Sequence, residues 1–387
     1  MLRRVASFFH KVSWTTVGSA LLLTALGVLA VTSASAERGM KQLTFWLPLG
    51  LAAMLVALAV SYQKIGRMSN VLFVLGLLVL VAMLTVIPAH RASGTRRWIV
   101  LGSSATAPRI QPSELMKLAY ILAMAKYLMF RKNHRRMRGL IGPFLLTLLP
   151  VVLILKQPDL GTAMLFFPVF FAMLFAAGAK KGHLLAIFVL MVVSLPGIWF
   201  LGLKDYQKQR IAVLFEQHRT DLAWVRGPGL QVTQSKIALG SGQLVGAGWR
   251  HGPQTQNNRL PEDHTDFIFS VIGEEWGFLG CLTILAAFLL MFFLGLSIAL
   301  STNEPFGRLL AVGVISLLAA QMLINVGMTI GLMPITGMTL PFVSYGGSSL
   351  MANFIALGLL LNVGKRRPIV MAKKPFEFAN DPEEVYV

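Results

Sequence analysis

Residues 267–300 read F-I-F-S-V-I-G-E-E-W-G-F-L-G-C-L-T-I-L-A-A-F-L-L-M-F-F-L-G-L-S-I-A-L, and Glu274 and Glu275 are their only charged groups. About 20 apolar residues carry a helix across roughly 30 Å of hydrocarbon. This run is too long for one perpendicular crossing, so it is expected to tilt or to extend beyond the bilayer. Nine further apolar runs stand at 15–33, 43–60, 70–87, 112–130, 140–155, 160–178, 183–203, 309–333 and 343–363. The fifth and sixth of the ten are separated only by residues 156–159, which reads as a tight turn. With 55% hydrophobic and 13% charged residues and a mean hydropathy of +0.68, the chain is more apolar than a soluble core of this length requires. The expected fold is all-α: a polytopic membrane protein with ten transmembrane helices in one domain, 1–367, and a disordered cytoplasmic tail, 368–387.

Orientation follows from lysine and arginine in short loops. Arg131, Lys132, Arg135, Arg136 and Arg138 fill one loop, Lys180 and Lys181 another, and Lys365, Arg366 and Arg367 follow the last run. With ten crossings all three lie on the side of the amino terminus, so both termini are expected in the cytoplasm. The first run, with Arg3, Arg4 and Lys11 before it, imitates a signal peptide but is read as a retained anchor. Two longer loops then face outward, 88–111 and, between helices 7 and 8, 204–265. Both are basic, carrying Arg109 in the first and Arg210 and Lys236 in the second. Either they meet anionic membrane lipids, or they hold a bound anion, for which a diphosphate matches arginine forks. No nucleic-acid partner is expected. Within the large loop, 208–215 and 234–239 are short amphipathic patches suited to helices in the membrane interface.

Ionisable groups inside a membrane protein mark what its bundle encloses. Residues 259–280 hold five of the chain's 16 acidic residues. Glu262, Asp263 and Asp266 stand before or at a helix start, and Glu274 and Glu275 lie on the order of 12 Å further along it. Asp266 is either a helix cap or a reactive acid at the rim of the bilayer. Glu274 and Glu275 are either satisfied by neighbouring backbone or part of a polar cavity. Glu114 and Lys117, three apart after Pro112, share one helix face and can pair, as a structural ion pair or as part of a site. Asp159 reads as a helix cap. The stretch 325–350, N-V-G-M-T-I-G-L-M-P-I-T-G-M-T-L-P-F-V-S-Y-G-G-S-S-L, is irregular backbone of a kind tolerated at membrane depth only where protein or water covers it, so it is expected to line the same cavity. No H-x-x-x-H spacing, P-loop or G-x-S-x-G elbow is present. The lone Cys281 excludes an intrachain disulfide.

R-W-I-V-L-G (97–102), Q-P-S-E-L-M-K (111–117), Q-P-D-L-G-T (157–162), D-Y-Q-K-Q-R (205–210), Q-S-K-I-A-L-G-S-G (234–242), L-P-E-D-H-T-D-F-I-F (260–269) and L-P-F-V-S-Y-G-G-S-S (340–349) follow one another along the chain. In these stretches it closely resembles the shape, elongation, division and sporulation (SEDS) family, and in G-W-R-H-G-P-Q-T-Q from Gly248 its elongation branch rather than its cell-division branch. Residues 220–232 match no family pattern well. The resemblance implies ten spanning helices and a glycosyltransferase polymerising lipid II at the outer face of the cytoplasmic membrane. It also implies a class B penicillin-binding protein as transpeptidase partner, among other elongation-complex membrane proteins. Asp266 falls on the family's catalytic aspartate, and Glu114, Lys117, Asp159, Arg210 and Ser344 to Gly346, including Tyr345, on other motifs.

The implied chemistry suits these residues. One carboxylate, Asp266, deprotonates an acceptor hydroxyl, while Arg210, Arg109, Lys236 and the basic loops, or a divalent cation such as Mg or Mn, stabilise the departing diphosphate. Single displacement inverts the anomeric centre. The competing readings are a lipid flippase or transporter, a role in the cell-division branch of the same family, and a scaffold without activity.

Overall fold

The computed structural model describes residues 13–85, 97–100, 109–129, 137–201, 205–219 and 221–366. The tail 368–387 and most of the first outer loop lie outside the described residues. The described residues are mostly helical. Helices α1 (Trp14–Ala34), α2 (Ala36–Ala59) and α3 (Tyr62–Thr85) precede a two-stranded antiparallel ribbon, β1 (Ile99–Val100) and β2 (Arg109–Ile110), in which Ile99 pairs with Ile110 and Val100 with Arg109. After α4 (Pro112–Met129) come α5 (Ile141–Lys156), α6 (Leu160–Ala176) and α7 (Lys181–Leu201). The second outer loop folds into α8 (Asp205–Phe215), α9 (Leu222–Val225), α10 (Leu230–Ser241) and α11 (Pro253–Gln256). Helices α12 (Ile268–Leu300), α13 (Pro305–Thr329) and α14 (Gly347–Lys365) complete the bundle.

Seven helices among the described residues are long and apolar enough to cross a membrane: α1, α2, α3, α12, α13, α14, and α5 with the turn that leads into it (Met137–Lys156). Helix α6 and residues 181–194 of α7 are apolar but shorter. Helix α4 is long enough but carries Glu114, Lys117 and Lys126. All ten apolar runs of the sequence are thus helical, with shifted ends. Helix α3 starts at Tyr62 rather than near residue 70, and α13 covers 305–329 rather than 309–333. The amphipathic patches at 208–215 and 234–239 lie within α8 and α10.

The over-long eighth run is not one helix. At Gly277 the backbone turns to φ 64°, ψ −160°, a region that is essentially glycine-only, and α12 breaks into a short first limb and a second limb of about 35 Å, enough for one crossing. A Cβ on Gly277 would lie 2.4 Å from the Gly246 nitrogen, and one on Gly246 2.2 Å from the Glu275 oxygen. Both glycines permit backbone to meet backbone. Tyr120 of α4 packs on Phe166 of α6 with ring centres 4.9 Å apart, and Phe342, in the connection from α13 to α14, packs on Phe354 of α14 at 5.3 Å. Helices α4, α13 and α14 are mostly enclosed, whereas α3 and α7 are largely exposed, as lipid-facing helices are.

Candidate active site

The turn that leads into α12, the starts of α2, α4 and α6 and the loop from α13 to α14 converge on a cavity of about 800 Å³. Asp266 lies in its wall, just before α12. The turn beneath it is built on Glu262, which has φ 54° and whose carbonyl accepts from the backbone nitrogens of Thr265, Asp266 and Phe267 at 3.1–3.2 Å. Three further bonds fix this turn. The Asn325 amide nitrogen donates to the Asp266 carbonyl at 2.9 Å and to the Met338 carbonyl at 2.6 Å. The Ser344 hydroxyl donates to the Thr265 carbonyl at 2.5 Å and accepts from the Leu340 nitrogen at 2.8 Å. The Tyr345 nitrogen donates to the His264 carbonyl at 2.9 Å.

The Asp266 side chain is half-buried, open on one side to the cavity. Desolvation by its surroundings pushes its pKa up to about 6, the neighbouring Glu262 carboxylate adds to the rise, and Arg210 opposes it. Arg210 reaches in from α8, its Nη1 donating to the Ile335 carbonyl at 3.4 Å. A Cβ on Gly337 would stand 3.4 Å from Asp266 Oδ2 and 3.7 Å from Arg210 Nη1. Acid and guanidinium therefore share one notch without closing into an ion pair.

The other candidates differ in what they touch. Glu114 and Lys117 line the cavity as a buried pair, Lys117 Nζ 2.9 Å from Glu114 Oε2. Asp159 also lines it but is heavily engaged. As N-cap of α6 it accepts from the Thr162 nitrogen at 3.1 Å and the Thr162 hydroxyl at 2.9 Å, and it takes the Gln111 amide at 2.7 Å. It thereby ties the start of α6 to the start of α4. Arg109 and Tyr345 line the cavity, Ser344 acts through the Thr265 backbone, and Lys236 lies elsewhere, its ammonium donating to the side-chain Oε1 of Gln217. Glu274 and Glu275 stand outside the cavity. Glu274 accepts from the nitrogens of Gln254 and Thr255 at 2.6 and 3.0 Å, and Glu275 accepts from the Ser33 hydroxyl at 2.5 Å.

Several lining residues escaped the sequence reading. Glu37, Arg38 and Lys41 come from the first turns of α2. Arg38 donates to His264 Nε2, while His264 Nδ1 sits 2.8 Å from Asp263 Oδ1. The signal was available: three charges between two apolar runs, and Asn325 as an amide inside a third. The mouth thus presents Arg38, Lys41, Arg97, Arg109 and Arg210 against Glu37, Glu262 and Asp266. Guanidinium groups in that density can hold phosphate oxygens, with a carboxylate near its ionisation point beside them. The described residues gather no cluster of three or more metal-ligating side chains. A cation shared with phosphate oxygens needs only one or two carboxylates, and exposed Glu262 offers one at the mouth.

The family model described as cell cycle protein, covering FtsW, RodA and SpoVE, matches residues 13–368. The chain is 38% identical over 363 residues to the probable peptidoglycan glycosyltransferase FtsW of Geobacter metallireducens, covering 90% of this chain and 93% of that protein. It is 35% identical over 324 residues to the peptidoglycan glycosyltransferase MrdB of Escherichia coli, covering 83% and 84%. A solved chain from a peptidoglycan synthase complex that coordinates polymerization and crosslinking superimposes with a TM-score of 0.79 at 31% identity, covering 93% of this chain and 99% of that one.

Proposed function

The chain belongs to the FtsW/RodA/SpoVE family of cell cycle proteins, the SEDS family, and is a peptidoglycan glycosyltransferase of the membrane; from that premise we propose that it polymerises lipid II with Asp266 as general base. The observation that carries this reading is the notch in which Asp266 and Arg210 lie side by side without pairing, within a cation-rich cavity. The Asp266 carboxylate takes the proton of the acceptor sugar hydroxyl as its oxygen attacks the anomeric carbon. The bond to the donor's diphosphate breaks on the opposite face, and the electron pair leaves with the phosphate oxygen. Arg210, Arg97 and Arg109 balance the charge that develops there. A magnesium or manganese ion would supply further positive charge to the diphosphate, and Glu262 is the carboxylate at hand to hold it, which leaves Asp266 free as base.

All ten apolar helices cross the bilayer in this reading, with both termini cytoplasmic and the cavity opening outward. A class B penicillin-binding protein is the proposed partner, in keeping with the synthase complex that the fold resembles. The G-W-R-H-G-P-Q-T-Q stretch supports an elongation role, whereas the 38% identity to a protein named FtsW supports a division role. Depletion in the native bacterium separates them: rounded cells support elongation, and filaments support division.

The decisive experiment is reconstitution of the purified chain with its transpeptidase partner and lipid II. Asp266→Asn should cut the rate of glycan formation about 10²- to 10⁴-fold, the range of a lost general base. Long strands from that variant would refute the assignment. Transbilayer movement of lipid II without polymer would instead support the flippase.

A further inference from the structure

The segment Q-L-V-G-A-G-W-R (243–250) lies in a loop that the sequence places outside the membrane, yet its surroundings are those of a membrane helix. The break at Gly277 interrupts the hydrogen-bond ladder of α12, and this segment fills the gap. The nitrogens of Phe278 and Leu279 donate to the carbonyls of Gln243 and Leu244 at 2.8 and 3.1 Å, while those of Ala247 and Gly248 donate to the carbonyls of Glu274 and Glu275, both at 2.9 Å. Four backbone bonds therefore tie the segment to the helix, which lowers the cost of placing its irregular backbone in a medium without water. The side chains point the other way: Leu244 and Val245 are 68% and 72% exposed.

Depth is given by Trp249, whose indole nitrogen donates to the Leu29 carbonyl at 3.1 Å. Leu29 lies five residues inside the Ala34 end of the spanning helix α1, about 7.5 Å along its axis. The exposed side chains of Leu29, Phe278, Leu279 and Leu282 belong to α1 and to the second limb of α12, faces that look onto lipid. At the end of the strap the Arg250 guanidinium lies 5.4 Å from the centre of the Trp249 ring. An aromatic followed by a cation is the pattern of the headgroup boundary.

We propose that residues 243–250 form a membrane-inserted strap, with Leu244 and Val245 among the acyl chains of the leaflet on the cavity side, Trp249 at its boundary and Arg250 at the lipid phosphates. The strap is a lipid-binding surface, and lipid rather than a protein partner covers it. This inference stands on the packing of the strap alone and holds whatever reaction the cavity performs.

Site-directed spin labelling tests it on the full chain in liposomes of phosphatidylethanolamine and phosphatidylglycerol. With the single cysteine removed by Cys281→Ala, labels are placed singly at Leu244→Cys and Val245→Cys. Leu290→Cys, exposed midway along the second limb of α12, is the lipid reference, and Asn257→Cys, exposed in the outer loop, is the water reference. Labels at 244 and 245 should be relaxed several-fold more by oxygen than by a water-soluble nickel chelate, as at 290. Nickel relaxation equal to that at 257 would overturn the proposal. Shielding from both reagents would also overturn it, by showing that protein covers the strap.

Discussion

The carboxyl of Asp266 reports its own surroundings, because desolvation and Glu262 raise its pKa while Arg210 holds it down. A base must be ionised to act, so kcat/KM for lipid II polymerisation should rise with pH through an acid limb near 6. Glu262→Gln should move that limb to lower pH and Arg210→Gln to higher pH, the opposite displacements that a pH series on the three proteins would reveal. The sign for stability is reversed. Because folding raises this pKa, the ionised form is disfavoured in the fold, and Asp266→Asn should raise Tm at pH 8 more than at pH 5. The pair of Glu114 and Lys117 offers a second test. Glu114→Gln alone strands a buried ammonium and should cost about 3 to 5 kcal/mol, whereas Glu114→Gln with Lys117→Met should cost clearly less, measured by thermal unfolding in detergent. These residues were all legible as candidates, since charges in apolar runs are few. What each does was not. Asp159 and Asp266 both stand before a helix and look alike in one dimension, yet the first spends its oxygens on Thr162 and Gln111 while the second keeps an open side.

Helix α12 shows how an element takes its form from another part of the chain. Its apolar run implied an unbroken helix that tilts or extends beyond the bilayer, because nothing in sequence marks Gly277 apart from Gly273 or Gly280 as the point of breakage. The break is decided by the strap at 243–248, whose nitrogens and carbonyls replace those that the helix gives up. Gly277→Ala must place a Cβ 2.4 Å from the Gly246 nitrogen and hold alanine in a glycine-only region, so about 1 to 3 kcal/mol should be lost from the backbone alone, read as a fall in Tm. At the next element Asn325 spans two backbones with one amide. Asn325→Leu leaves the carbonyls of Asp266 and Met338 without it and should lower kcat with little change in KM, since the cations of the cavity mouth are untouched. A parallel rise in KM would mean instead that the cavity itself collapses.

Across the whole molecule, charge is gathered from distant parts of the chain into one opening. Arg38, Arg97, Arg109 and Arg210 arrive from four separate segments, so inorganic pyrophosphate should compete with lipid II, raising its apparent KM and leaving kcat unchanged in steady-state assays. That the chain is a mainly helical membrane protein was settled by composition and by the length of its apolar runs, because backbone polar groups in a bilayer must be paired within the protein and a long apolar run does so as a helix. Glu114, Lys117, Glu274 and Glu275 stood out in the same way, by the cost of charge in lipid. The tertiary structure alone decided that Lys236 turns to Gln217, that Glu274 and Glu275 staple the outer loop and α1, and that α2 brings Glu37, Arg38 and Lys41 to the cavity. Periodicity and hydropathy are properties of neighbours along the chain, whereas a cavity is made by residues hundreds of positions apart, whose meeting depends on how helices pack and where one of them breaks.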